Sequence, residues 1–193
     1  MGLIRQASEN EQFKGVDFTK GKFGEVDYES CHFRNCIFSG LSFNNVILID
    51  CIFEGCDLSM AKLKNSSFRN IKFKNCKMLG LRFDECNGKL ISFSFENCIL
   101  NFSSFFGLKI KNTFFKDCKL HEVDFTETDL TKSAFHDSDL EKTIFSSTIL
   151  EGADFSSAFN FSIDPERNKV KKAKFSVVGL SGLLEKYEIV IGG

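Results

Sequence analysis

The sequence predicts an all-β solenoid with four sides, and three observations carry the prediction. An apolar residue recurs every five positions, a smaller residue lies two before most of them, and residues 20 apart sort into columns of one type. A period of five fits neither a helix nor a straight strand. Two inward positions separated by one outward residue are strand-like, and the remaining two residues must turn a corner. A chain that turns the same way every five residues winds into a coil, and stacked coils form a solenoid.

The beat runs from Phe13 to Phe83 in 15 units and resumes from Leu90 to Phe155 in 14. The gap between them implies a two-residue insertion, most simply Gly88-Lys89. Four sides follow from the sorting. One column reads Phe13, Phe33, Phe53, Phe73, Phe95, Phe115, Phe135, Phe155, and the opposite one is Phe apart from Leu63. The other two are richer in leucine, from Phe18 to Leu140 and from Tyr28 through Leu90 to Leu150. Three sides would mix these classes. The 29 units give about seven coils, each adding ~4.8 Å, for a rod of roughly 35 Å.

Residues 1–10 read as a lead-in, 11–158 as the solenoid, and 159–193 as a cap and dimerisation segment. After Phe155 the beat lapses through Ser162-Ile163-Asp164-Pro165 and recurs at Ala173–Phe175. Leu180, Leu183, Leu184 and Tyr187 then carry the spacing of one helix face, so a short helix is expected, followed by a strand-like Ile189-Val190-Ile191. A solenoid needs such a cap, because its last coil exposes strand edges and an apolar core end.

Composition agrees with a packed interior. The 193 residues include 24 Phe, eight Cys and no Trp, too aromatic for a disordered chain. Met1–Gln12 lacks a signal-peptide core and no apolar run reaches a membrane span, so a cytoplasmic protein is expected. Cys31, Cys36, Cys51, Cys56, Cys76, Cys86, Cys98 and Cys118 all fall on the small inward position, where a thiol serves as compact filler. A column of thiols spaced by ~4.8 Å does not offer zinc its tetrahedron. His32, His121 and His136 fall on outward positions, and no catalytic or phosphate-binding motif occurs. Neither an enzyme, a cofactor nor a metal is therefore expected.

The outward positions hold the functional candidates. Ile37, Met60, Leu79, Ile99 and Phe102 lie on one face with Phe106 round the corner; isolated surface apolar residues are common, and these read as incidental. Net charge is −1, but residues 61–116 carry +8 and residues 117–164 carry −8. The acidic set is Asp117, Glu122, Asp124, Glu127, Asp129, Asp137, Asp139 and Glu141. Chance drift along a solvated surface and a selected binding surface both account for such segregation.

The five-residue repeat over residues 11–158 resembles the pentapeptide-repeat proteins. The run Cys56-Asp57-Leu58-Ser59-Met60-Ala61 with Asn65-Ser66-Ser67 is similar to the Qnr type. The tail from Asp164-Pro165-Glu166 to Ile189-Val190-Ile191-Gly192-Gly193 is similar to the microcin B immunity type. The resemblance implies a right-handed quadrilateral β-helix and a homodimer through the C-terminus, here Leu180, Leu183, Leu184 and Tyr187. It also implies a protein partner, a type II topoisomerase such as DNA gyrase, met by an acidic, DNA-like surface and protected from quinolones or a peptide toxin. The alternative is an interaction scaffold with no topoisomerase role.

Overall fold

The computed structural model describes residues 7–190 apart from Lys22, Glu25 and Leu90. It is a parallel β-solenoid. One side is a nine-stranded sheet in the order β2 (Gln12–Lys14), β4 (His32–Arg34), β6 (Ile52–Glu54), β8 (Ile71–Lys74), β9 (Phe93–Glu96), β10 (Phe114–Lys116), β11 (Ala134–His136), β12 (Asp154–Phe155) and β13 (Lys174–Phe175). A four-stranded sheet of β1 (Ala7–Glu9), β3 (Asp27–Glu29), β5 (Ile47–Ile49) and β7 (Ser67–Arg69) forms another side. The remaining sides are held by single bridges such as Ile37↔Asp57 and Ser104↔Asp124. We call the nine-stranded side the spine, and number the second, third and fourth sides by the columns starting at Phe18, Phe23 and Tyr28.

Nine strands on the spine enclose eight turns, one more than the beat alone gives. The extra turn follows Phe155, in the segment read as cap. There Phe161 is buried off the five-residue beat, Ile163 and Asn168 are buried on its small positions, and Phe175 returns to its large one. At the other end β1 pairs with β3, so strand structure begins inside the segment read as lead-in.

The phenylalanine column is a continuous ring stack. Centroids from Phe13 to Phe175 lie 4.7 to 5.4 Å apart. Stacking at this distance follows from the strand spacing, since in-register parallel pairing repeats each ring at about the inter-strand step. Phe83, Phe105, Phe125 and Phe145 stack likewise on the third side and meet the first column edge-on, as at Phe105–Phe115.

The register changes from 20 to 22 residues between Cys86, beside Ser66, and Phe93, paired with Ile71. The interval contains Gly88 and Lys89, while Leu90 lies outside the described residues. Phe93 fills the small-residue position of its rung, and its ring lies 5.8 Å from that of Phe68.

Small rungs do more than fill space. The Cys56 thiol donates to the Phe33 carbonyl at 3.3 Å and accepts the Cys36 amide at 3.4 Å, serving two buried backbone groups of the preceding coil. Cys51 and Cys76 donate in the same way to Tyr28 and Phe53. Ser133 reproduces the clasp with a hydroxyl, accepting from the Thr113 amide and donating to the Ile110 carbonyl. Corners that close by their own backbone bond need no such side chain. Val46, Ala61, Ala153 and Ala158 stand at corners of that kind. At these corners the buried backbone groups are thus satisfied by one route or the other.

The C-terminal cap differs from the expected helix. Val178–Leu183 and Glu185–Tyr187 are 3-10 turns. Gly179 and Gly182 weaken helix formation in this segment, and both lie against the Phe161 ring. The Gly182 carbonyl is also engaged by the Ile163 amide at 2.9 Å. Leu183 and Leu184 are half-buried, whereas Leu180 and Tyr187 are exposed. Ile189 and Val190 form no strand, and residues 191–193 lie outside the described residues.

Candidate functional site

The functional candidates lie on the outside of this molecule. Its interior is occupied by side chains, and among the described residues no group of three or more His, Cys, Asp or Glu is placed to hold a metal ion. All eight cysteines are free and buried. Burial pushes the thiols of Cys51 and Cys86 up to about 12, which leaves them protonated and poor nucleophiles. No helix among the described residues is long and apolar enough to cross a membrane.

The eight acidic residues are distributed around the rod rather than on one side. Asp124 bridges Ser104 and Ile144 on the third side, Asp129 bridges Lys109 and Ile149 on the fourth, and Asp139 bridges Lys119 and Phe159 on the second. Asp117 and Asp137 stack one coil apart at the corner leaving the spine, while Glu122 and Glu127 occupy the next two corners. Asp137, Asp139 and Glu141 extend this cluster onto the second side. The exposed members are Asp117, Glu122, Glu127, Asp137 and Glu141.

The other three have structural work. Asp124 accepts the Thr126 amide at 2.8 Å, Asp129 the Thr131 amide at 3.1 Å, and Asp139 the Glu141 amide at 3.3 Å. Each ties down the outward bend one residue past a large rung, as an Asx turn does. Burial alone would raise the Asp129 carboxyl, but Thr131 and Lys111 outweigh it and hold the group below its ordinary range. Burial likewise opposes ionisation of Asp139, and Asn160 and His121 reverse it, the His121 Nε2 lying 2.7 Å from Oδ2. The sequence carries this signal as Asp followed two residues later by Ser or Thr, at Asp17, Asp57, Asp124, Asp129 and Asp154.

The cationic block is also a belt. Lys62, Lys64 and Arg82 are on the third side, Lys72 and Lys74 on the spine, Lys77 on the second side and Arg69 on the fourth. The eighth turn adds a second belt, in which Arg167, Lys169, Lys171, Lys172 and Lys174 outnumber Asp164 and Glu166. The rod is therefore banded, with its acidic belt between two basic ones.

At the C-terminal end an open groove of about 1040 Å³ lies between the last turn and the cap. Phe159, Phe161, Val178 and Leu184 line it with Glu141 and Glu188. The cap is fastened beside it by Lys186, whose ammonium lies 2.7 Å from both Asp164 and Glu166 and is held charged by them. Val177, Val178 and Val190 are almost fully exposed.

The family model for the pentapeptide repeat region matches residues 26–94 and 82–155. No curated protein matches the chain in sequence. Among solved structures, trypsin-treated QnrB1, a plasmid-mediated fluoroquinolone resistance protein, is 19% identical with a TM-score of 0.63, covering 98% of this chain and 100% of that one. Full-length QnrB1 is 18% identical with a TM-score of 0.63, covering 95% and 100%. HetL from the cyanobacterium Nostoc sp. strain PCC 7120, involved in heterocyst differentiation regulation, is 14% identical over 88% of this chain and 87% of its own, with a TM-score of 0.40. With the repeat matched over most of its length and its rungs in register from Phe13 to Phe175, the chain belongs to the pentapeptide-repeat family.

Proposed function

We propose that this protein works without chemistry of its own, by presenting its acidic belt to a protein partner, and that the partner is a type II topoisomerase such as DNA gyrase. The belt is the observation that carries the reading. Residues 117–141 hold eight carboxylates against Lys119 and Lys132. They span little more than one coil, about 6 Å of rod at ~4.8 Å per coil. Duplex DNA carries roughly three to four charges over that length, so the belt, net −6 with both lysines counted, is at least as dense in charge as DNA over a short stretch. The choice of partner comes from the resemblance to gyrase-protecting types, whose fold QnrB1 shares with this chain. The protein would act in the cytoplasm, where its free thiols stay reduced.

In this reading two copies meet end to end through residues 175–193. Exposed Val177, Val178, Leu180 and Tyr187 supply apolar surface for the contact. The eighth turn then places a basic belt beside the junction, with each acidic belt one coil further out.

The test is a gyrase supercoiling assay, alone and with a quinolone or peptide toxin, plus a binding measurement with purified gyrase. The protein should alter or protect supercoiling, and joint substitution Asp117→Asn, Glu122→Gln, Glu127→Gln, Asp137→Asn and Glu141→Gln should abolish the effect. No effect and no binding at saturating protein would sink the proposal. Lys substitution at Val178 and Leu180 should convert a dimer to a monomer in sedimentation; an unchanged oligomeric state would reject the end-to-end contact. The basic belts favour a second reading, a scaffold for an unrelated protein, because a DNA mimic has no use for them.

A further inference from the structure

The corner between the second and third sides carries two residues that the fold does not explain. Its successive left-handed positions are Gly40, Met60, Gly80, Phe102, Glu122 and Lys142, with φ between 54° and 67°. Among the described non-glycine residues with positive φ, Met60 (φ 59°) and Phe102 (φ 63°) are the only apolar ones; the others are Asn, Asp, Ser, Glu or Lys. A bulky residue in this backbone region is disfavoured, because its Cβ crowds the following carbonyl. Both side chains are also exposed, Met60 at 65% and Phe102 at 58%. Two separate penalties therefore fall on the same two residues, in one column, where glycine or a charged residue serves elsewhere. Strain of this kind persists where a function requires it.

The two residues form one feature. The Met60 amide donates to the Leu79 carbonyl and the Phe102 amide to the His121 carbonyl, so each is fixed on the same corner, two coils apart. Gly80 lies between them, and a Cβ there would come within 2.7 Å of the Met60 sulfur. The Met60 side chain thus lies along the corner across Gly80, toward Phe102. Ile99 on the second side and Phe106 on the third are exposed on the same coil as Phe102. The result is an apolar ridge on a convex edge, roughly 10 Å long at two inter-strand steps.

Charge selects what covers it. Lys62 and Lys64, beside Met60 on the third side, are exposed and make no ion pair among the described residues. Nearby Lys77 and Arg82 are paired within the chain, with Asp57 and Asp84. We infer that the Met60–Phe102 corner is a docking ridge for a second protein, whose complementary surface is an apolar groove edged by carboxylates. The ridge stops one coil short of Glu122, the nearest residue of the acidic belt on the same corner, and does not depend on the topoisomerase proposal.

The test uses the full-length protein in its source cells, with a photo-crosslinking amino acid at Phe106 and, as control, at exposed Ile144. A protein captured from Phe106 but not Ile144 is identified, purified and titrated against the chain. Its affinity should fall at least tenfold with Met60→Gly plus Phe102→Gly, and with Lys62→Glu plus Lys64→Glu. It should weaken with added salt, and should not change with Glu127→Gln plus Asp137→Asn, the belt residues on the other corners. Glycine relieves the backbone at both positions, so the double variant should unfold at an equal or higher urea concentration, which separates lost docking from lost folding. Equal capture at both positions, capture only of a second copy of this chain, or an affinity indifferent to the double glycine variant would overturn the inference.

Discussion

Replacing Cys56 with alanine should destabilise the solenoid by much more than replacing it with serine. Cys56 is 2% exposed, and its thiol serves the Phe33 carbonyl and the Cys36 amide. Alanine leaves both groups buried without a partner, at about 1–3 kcal/mol. The lost burial of the sulfur adds about 1 kcal/mol. The expected total is about 2–4 kcal/mol. Serine keeps a donor and an acceptor at the same point, as Ser133 does one corner earlier on a later coil, and should lose less than about half as much. Urea unfolding followed by far-ultraviolet circular dichroism reads the difference. Because each coil touches only its neighbours, a lowered midpoint and a separate early step both register the loss in the alanine variant. A serine variant as damaged as the alanine one, or an alanine variant within about 0.5 kcal/mol of the parent, would refute the clasp.

Three further outcomes follow from the same geometry. All eight cysteines should resist a thiol reagent at pH 8 in the folded protein and all should react in denaturant, because they are buried; a fast-reacting fraction in the native state would contradict this. Hydrogen bonds from Ser156, supported by Lys174, hold the Asp154 carboxyl down at about 2. A depressed carboxyl stabilises the fold above its unfolded value near pH 4, and that contribution disappears as pH falls towards 2. Asp154→Asn should therefore cost about 1 kcal/mol at neutral pH, after discounting for solvent screening, and little at pH 2, as measured by paired urea titrations. Gly182→Ala would drive a Cβ into the Phe161 carbonyl and ring. It should loosen the cap and speed proteolysis after Phe175 without moving the main unfolding transition; unchanged cleavage would count against the packing described.

The solenoid was legible because its code is strictly local. Each rung repeats one inward pair, and Phe33, Phe53 and Phe73 can be aligned without knowledge of any distant contact. The eighth turn escaped that code because Asn160 and Pro165 stand where large rungs are expected, Phe161 is buried off the beat, and Asn168, a polar residue, fills a small rung. The helical spacing of Leu180, Leu183, Leu184 and Tyr187 misled for a related reason. Gly179 and Gly182 were fitted to Phe161, a contact that periodicity does not reveal. The cysteines were correctly placed as small rungs, but their hydrogen bonds depend on which corners close by backbone alone. On the surface, segment charges gave the sign of each belt, while its spread over several sides appears only when the columns are followed around the rod. Met60 and Phe102 looked incidental in the sequence, since exposure alone does not distinguish them. Their left-handed backbone does.

The two-residue slip between Cys86 and Phe93 has a mechanical meaning. The spine passes through it unbroken, from β8 to β9, whereas the four-stranded sheet, among the described residues, ends at β7. The second and third sides keep their bridges across it, at Lys77↔Ile99 and Arg82↔Ser104, while the fourth is held there by the Ser92 backbone, its amide donating to the Phe68 carbonyl and its carbonyl accepting from the Ile71 amide. Under bending or axial pull the rod should flex about the spine and give first at this slip on the fourth side. It divides an otherwise uniform beam between the fourth and fifth spine strands, beside the basic belt and within one coil of the ridge at Phe102.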